Sequence, residues 1–372
     1  MLRRSIFESL RHFDWALLFP VGILVAFGLA GVGSVGLSRE SADFIFLKKQ
    51  IIFLALGIFV MAFFASPSPT RWRFAAKTIY AIILTLLVLV LFFGATVRGT
   101  RGWFDIFGFR LQPVEAAKVA LIIVLAKFVA EHLHLARQWP LLIRSGALLL
   151  PPLALVLLQP DVGSATILIV VWFSIVLAAG VRRRHLFALF GGAAVVATIS
   201  WFFVLAPYQK ERVLTLLNPD RDPLGSGYNV AQSLIAVGSG RFFGRGLGFG
   251  AQSQLKFLPE AQTDFIFAVL SEELGFAAVA IMLLAFAAFF YRAIKLARRA
   301  SDPYEQLVVF GAAAMIFYEM FVNIGMNLGI MPVTGITLPF VSYGGSSLLS
   351  HFAILGLILG IASRSAKSAE ID

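Results

Sequence analysis

Stretches of about 18–25 nearly uninterrupted apolar residues recur along this chain, the length a helix needs to cross a ~30 Å hydrocarbon core. They predict an all-α polytopic membrane protein with ten transmembrane helices. The spans are expected near 15–37, 45–65, 74–94, 113–131, 141–159, 162–181, 186–206, 265–291, 305–331 and 341–362. The fourth carries Glu115, Lys118 and Lys127, and the fifth contains Arg144 and Pro151-Pro152. Prolines are tolerated in such helices where neighbours satisfy the freed carbonyls. A soluble domain of 372 residues could not hide a chain that is 59% hydrophobic and 14% charged. The absence of cysteine excludes disulfides and thiolate metal sites. The whole chain, 1–372, reads as a single membrane domain.

The net charge of +11 has its duller explanation in the membrane, where basic residues mark cytoplasmic loops and touch anionic headgroups. Nucleic-acid binding is not expected. One set of short loops holds Arg3, Arg4, Arg11, Arg71, Arg73, Arg137, Arg182, Arg183, Arg184, Arg292, Lys295, Arg298, Arg299, Arg364 and Lys367. The opposite set holds mainly Arg39, Lys48, Lys49, Arg98, Arg101 and Arg110. The bias makes both termini cytoplasmic, with the first span acting as a signal anchor. Residues 207–264 then form one long outer loop between spans seven and eight, and loops of that length tend to be functional. Within it, apolar residues at 230, 234, 235 and 237 have helical spacing and predict a short amphipathic helix lying in the interface.

Asp264 ends the polar segment, and Phe265-Ile266-Phe267 opens the eighth span. A carboxylate at the lip of a membrane helix is costly to desolvate. It could be a helix N-cap, as could Thr263, or it could be a general base or cation ligand facing an outer cavity. Glu272 and Glu273 lie two turns further along, about 12 Å below Asp264 on a straight helix. Glu273 is nearly opposite Asp264 around the axis, so neither is expected to form a close carboxylate pair with it; a structural role is favoured for both.

Glu115 and Lys118 share a helix face. They fit either a self-neutralising ion pair or a phosphate-binding lysine with its supporting carboxylate. Arg98, Arg101 and Trp103 suit a phosphate and sugar platform, since guanidinium forks anionic oxygens and indole stacks on sugar faces; an interfacial anchor belt is the alternative. Asp161 could cap the sixth span. Glu319, Asn323 and Asn327 form an i, i+4, i+8 stripe expected to make interhelical hydrogen bonds. Residues 332–347 are a Pro/Gly-broken entry to the tenth span, the kind of segment that lines cavities. Gly246-Leu-Gly248-Phe-Gly250 is no nucleotide fingerprint, because no strand precedes it.

Taken together, these motifs resemble the SEDS family, that of RodA, FtsW and SpoVE, over nearly the whole length. The resemblance rests on Gln112-Pro113-x-Glu115-x-x-Lys118, Gln159-Pro160-Asp161-x-Gly163, Asn218-Pro219, and the run from Gly227 through Ala236. It rests equally on Leu258-Pro259-Glu260-x-x-Thr263-Asp264-Phe265-Ile266-Phe267, Glu272-Glu273-Leu274-Gly275 and Pro339 through Ser347. Residues 222–225 and 252–255 lean toward the RodA branch, whereas 333–339 look more like SpoVE or FtsW. The chain departs from the family pattern at Val114, at Lys49-Gln50 and at Gly102.

The resemblance implies a peptidoglycan glycosyltransferase of the bacterial cytoplasmic (inner) membrane that polymerises lipid II at the outer face, for elongation and cell shape. A GlcNAc hydroxyl attacks the MurNAc anomeric carbon and undecaprenyl diphosphate leaves. Asp264 is then the candidate base, and Lys49, Arg98, Arg101, Trp103, Glu115 and Lys118 the candidate substrate-binding residues. No organic cofactor is implied, and a divalent cation, Mg2+ or Mn2+, is allowed. Expected partners are a class B penicillin-binding protein, other elongation proteins and membrane lipids. A division or sporulation polymerase, or a lipid II flippase, is the alternative.

Overall fold

The computed structural model describes residues 14–37, 44–97, 99–106, 108–203, 210–211, 214–215, 225–255 and 257–369. The helices are α1 Trp15–Leu37, α2 Ile45–Ala65, α3 Pro69–Phe93, α4 Pro113–Glu131, α5 Trp139–Leu158, α6 Val162–Ala178, α7 Arg183–Phe203, α8 Ser226–Ser239, α9 Ala251–Gln254, α10 Ile266–Arg299, α11 Pro303–Asn327 and α12 Gly345–Ala369. Eight of them are long and apolar enough to cross a membrane: α1, α2, α3, α5, α7, α10, α11 and α12. The helices at the fourth and sixth predicted spans differ. Helix α6 has only 17 residues, and α4 carries Glu115, Lys118, Lys127 and Glu131 within 19.

Prolines at the first turn start α3, α4, α5 and α11, where the missing N–H costs nothing. Helix α4 is buried around most of its circumference, through Glu115, Lys118 and the run 119–126. It forms the core with α12 and α11, while α2, α3 and α7 turn large apolar side chains such as Phe59, Phe74, Phe93 and Phe187 outward. Small residues let helices approach closely. Gly57 faces the Phe352 ring, while Gly356 and Gly360 lie against the Met61 and Ala65 carbonyls, so α2 and α12 pack backbone to backbone.

The all-α expectation is corrected between α3 and α4. There the chain forms a three-stranded antiparallel sheet, β1 Ala95–Val97, β2 Thr100–Ile106 and β3 Phe109–Leu111. Trp103 pairs with Ala95, Arg101 with Thr96 and Asp105 with Arg110. Gly99 (φ 81°) and Gly108 (φ 78°) supply the left-handed turn positions that tight hairpins need.

The sheet marks one end of the molecule, with Lys49, Arg101 and Arg110. The opposite end carries Arg73, paired with Glu131 and Asp302, together with Arg292 on Asp14 and Arg364 on Glu305.

Helix α10 breaks at Gly275 (φ 74°, ψ −175°). The break releases four backbone groups, and the segment after α8 takes them up. Arg245 N donates to Glu272 O and Gly246 N to Glu273 O, while Phe276 N and Ala277 N donate to Arg241 O and Phe242 O. A Cβ at Gly244 or Gly240 would run into the Glu273 or Ser271 carbonyl, so only glycine allows this approach.

Helix α8 forms where the apolar spacing predicted a short helix. It buries Val230, Ser233 and Ala236, with Ser233 Oγ donating to Asn327 O at 2.8 Å, whereas Leu234 and Ile235 stay exposed.

Candidate active site

Four ionisable side chains meet inside the helix bundle. Lys118 on α4 is 3% exposed and lies between two carboxylates, Glu115 Oε1 at 2.9 Å and Glu319 Oε1 at 2.8 Å. The second oxygen of Glu319 meets His351 Nε2 at 2.6 Å, and that of Glu115 accepts from Ser350 Oγ at 3.0 Å. His351 Nδ1 continues to Ser347 Oγ at 3.4 Å, and Ser347 to Thr337 Oγ1 at 2.8 Å. The cluster thus ties α4, α11 and α12 together. A buried ion pair is a weak source of net stability, but removing one partner strands the other charge. Glu115 and Lys118 form the ion pair that one of the two sequence readings expected, enlarged by Glu319 and His351.

Asp264 sits where irregular chain enters α10. The N-cap position is Phe265, not Asp264 or Thr263, and no side chain caps from it. The first-turn amide of Ala268 instead donates to Asn327 Oδ1 at 3.2 Å, a cap supplied by α11. The main-chain carbonyl of Asp264 accepts from Asn323 Nδ2 at 3.1 Å and Asn327 Nδ2 at 3.0 Å. Asn323 Nδ2 also donates to Ile336 O at 2.8 Å. The chain on the far side of Asp264 is the broken segment before α12. There Ser342 Oγ donates to Thr263 O, Tyr343 N to Gln262 O, and Leu338 N to Ser342 Oγ. Gly335 (φ 76°) lies so close that a Cβ there would stand 3.7 Å from Asp264 Oδ2.

Glu272 and Glu273 hold the segment after α8 to α10 and α1. Glu272 accepts from the amides of Gln252 at 3.0 Å and Ser253 at 3.3 Å. Glu273 accepts from Ser34 Oγ, from Ser253 Oγ at 2.9 Å and from Gly248 N at 3.2 Å. These bonds are the structural role expected of both. Glu273 reaches Ser34, three residues from the end of α1, while Ile266 and Leu270 both press on Gly31. The opening turns of α10 therefore pack on the last turns of α1.

The remaining candidates lie around the sheet. Arg98 is outside the described residues. Arg101 forks the last carbonyls of α3, donating to Gly94 O at 3.1 Å and Phe92 O at 2.7 Å, the favourable place for a cation at a helix C-terminus. Lys49 donates to Gly108 O at 3.2 Å and stands over the Phe109 ring. Trp103 is half-buried in β2. Asp161 caps α6 through Ser164 N at 2.9 Å and is held by Gln112 Nε2 at 3.2 Å. Lys49, Arg101 and Lys118 thus each have their own local partners. Among the described residues, no group of three or more His, Cys, Asp or Glu side chains gathers to hold a metal ion.

The sequence pattern of a family described as a cell cycle protein, FtsW/RodA/SpoVE, matches residues 9–367. The chain belongs to the FtsW/RodA/SpoVE family. It is 38% identical to Stage V sporulation protein E of Bacillus subtilis (strain 168), over 93% of this chain and 94% of that protein. It is 37% identical to the peptidoglycan glycosyltransferase MrdB of Escherichia coli (strain K12), over 87% of each. A chain of a solved peptidoglycan synthase complex, described as coordinating polymerization and crosslinking, superposes with a TM-score of 0.80 at 36% identity, covering 95% of this chain and 98% of that one.

In this FtsW/RodA/SpoVE chain, sequence reasoning missed His351, Ser350 and Ser347. The signal was present: Ser347, Ser350 and His351 fall at i, i+3 and i+4 on one face of an otherwise apolar helix, where polar groups need partners. The stripe on α11 was seen, but its two tasks were not. Glu319 closes the ionic cluster, and Asn323 and Asn327, one and two turns on, hold Asp264.

Proposed function

We propose that this protein is a peptidoglycan glycosyltransferase that polymerises lipid II at the outer face of the bacterial cytoplasmic membrane. Family membership supports the reaction class, and one observation carries the assignment of the site. Asp264 stands at the entrance to α10, with its main-chain carbonyl held by Asn323 and Asn327 and its Oδ2 facing the open Cβ position of Gly335. As general base it takes the proton from the GlcNAc hydroxyl that attacks the MurNAc anomeric carbon. The new C–O bond forms with inversion as the bond to undecaprenyl diphosphate breaks.

Lys49, Arg98, Arg101 and Trp103 serve the diphosphate and sugars in this reading, and the Glu115–Lys118 pair supports the wall behind them. A divalent cation, Mg2+ or Mn2+, would bind with the diphosphate and offset its charge. Ten spans, with α4 and α6 completing the eight apolar helices, both termini cytoplasmic and residues 207–264 outside, fit the distribution of basic residues. A class B penicillin-binding protein is the partner, by analogy with the synthase complex. Elongation is the preferred role, on the stretches 222–225 and 252–255; the near-equal identities to SpoVE and MrdB do not separate the branches.

The test is purified protein, with and without the partner transpeptidase, given lipid II. Glycan strands are expected. No strands, together with lipid II transport in liposomes, would overturn the assignment in favour of a flippase. Rescue of cells depleted of the division enzyme but not of the elongation enzyme would overturn the branch.

A further inference from the structure

We propose that Asn323 and Asn327 are positioning residues that set the Asp264 carboxylate in its reactive place by gripping the main chain on either side of it. The proposal rests on the reading of Asp264 as base and extends it to two side chains that touch neither its carboxylate nor any reacting atom.

Three features carry it. First, both amides converge on one atom, the Asp264 carbonyl oxygen, at 3.1 and 3.0 Å. That carbonyl lies outside the helix ladder, so two side-chain donors replace the bonds the ladder would give it. Second, Asn327 uses its other end on the same element, since its Oδ1 accepts Ala268 N at 3.2 Å. One side chain therefore binds residue 264 and the first turn of α10 together, fixing the angle at which the chain enters the helix. Third, Asn323 Nδ2 also reaches Ile336 O at 2.8 Å. Ile336 follows Gly335, whose open Cβ position faces Asp264 Oδ2 at 3.7 Å. Asn323 thus sets the width of the gap between the carboxylate and the chain opposite.

Both asparagines are fully buried on α11, in register with Glu319, which the Lys118 and His351 contacts hold in place. The frame is rigid, and rigidity at the base matters: a misplacement of about 1 Å is worth on the order of 10²-fold in rate.

Asn323→Asp and Asn327→Asp keep the side-chain shape and remove the N–H donors, and Asn327→Asp retains the acceptor for Ala268 N. In a lipid II polymerisation assay with the partner transpeptidase present, each is expected to lower kcat by about 10–100-fold per folded molecule with KM unchanged. Ser34→Ala, which loosens the Glu273 attachment away from Asp264, is the structural control. It is expected to lower the thermal midpoint and leave kcat per folded molecule at the wild-type value. Asn variants with wild-type kcat per folded molecule, beside an inactive Asp264→Asn, would overturn the positioning role alone. An active Asp264→Asn would overturn the base and the positioning role together, so the two failures are distinguishable.

Discussion

Asn327 binds the carbonyl of Asp264 at 3.0 Å although 63 residues separate them in sequence. The bond joins the two polar features of the spans, the stripe on α11 and the acid before α10. Asn327 also accepts from the first-turn amide of Ala268, so one side chain holds residue 264 and caps α10. Glu319, two turns back on the same stripe, belongs to the ionic cluster. Helix α11 therefore connects the buried charges with the candidate base.

The ionic cluster has a directional signature. Lys118→Met leaves Glu115 and Glu319 buried without their cation, and should destabilise the fold by about 3–5 kcal/mol. Replacing all three with apolar residues of similar volume should recover most of that loss. Unfolding of the detergent-solubilised protein measures both; a single Met variant as stable as wild type would contradict the pairing.

Gly275 is the break on which the segment after α8 docks. Gly275→Ala forces a side chain into φ 74° against the chain at Phe243 and Gly244, a strain of about 1–3 kcal/mol before any clash is counted. Amide hydrogen exchange should then rise at Arg245, Gly246, Phe276 and Ala277, whose N–H groups close the break. Unchanged protection there would show that the docking does not depend on the glycine.

Arg101 separates its two roles by kinetics. As a substrate contact, Arg101→Ala should raise KM for lipid II with little change in thermal midpoint, since exposed side chains contribute within about 0.5 kcal/mol to stability. As a mere cap on α3, the same variant would lower the midpoint and leave KM alone.

Gly335 is predicted to be sensitive through the carboxylate it faces. Gly335→Ala costs about 1–2 kcal/mol at its positive φ and sets a methyl 3.7 Å from Asp264 Oδ2. Polymerisation per folded molecule should fall, because the methyl occupies space at the base. Gly180→Ala, at φ 85° with nothing within 4 Å, should bear the strain without that loss.

The helices were legible because the hydrocarbon core demands long apolar runs, and the acid at 264 because a sharp change of polarity marks it. The sheet was not, as strands of three residues carry little pattern and their pairing is fixed by hairpin glycines. The partner of Lys118 at Glu319, 201 residues away, is equally invisible to local spacing, which offered only Glu115. The break in α10 was not legible either, because a glycine inside an apolar run does not announce whether it will break the helix, and Gly275 does.

The most direct measurement is lipid II polymerisation by purified Asp264→Asn with its partner transpeptidase, at a thermal midpoint matched to wild type. An amide fills the same space and cannot take the proton, so glycan strands should be absent although the protein folds and binds its partner. Strands made at the wild-type rate would contradict the assignment of Asp264 as the base.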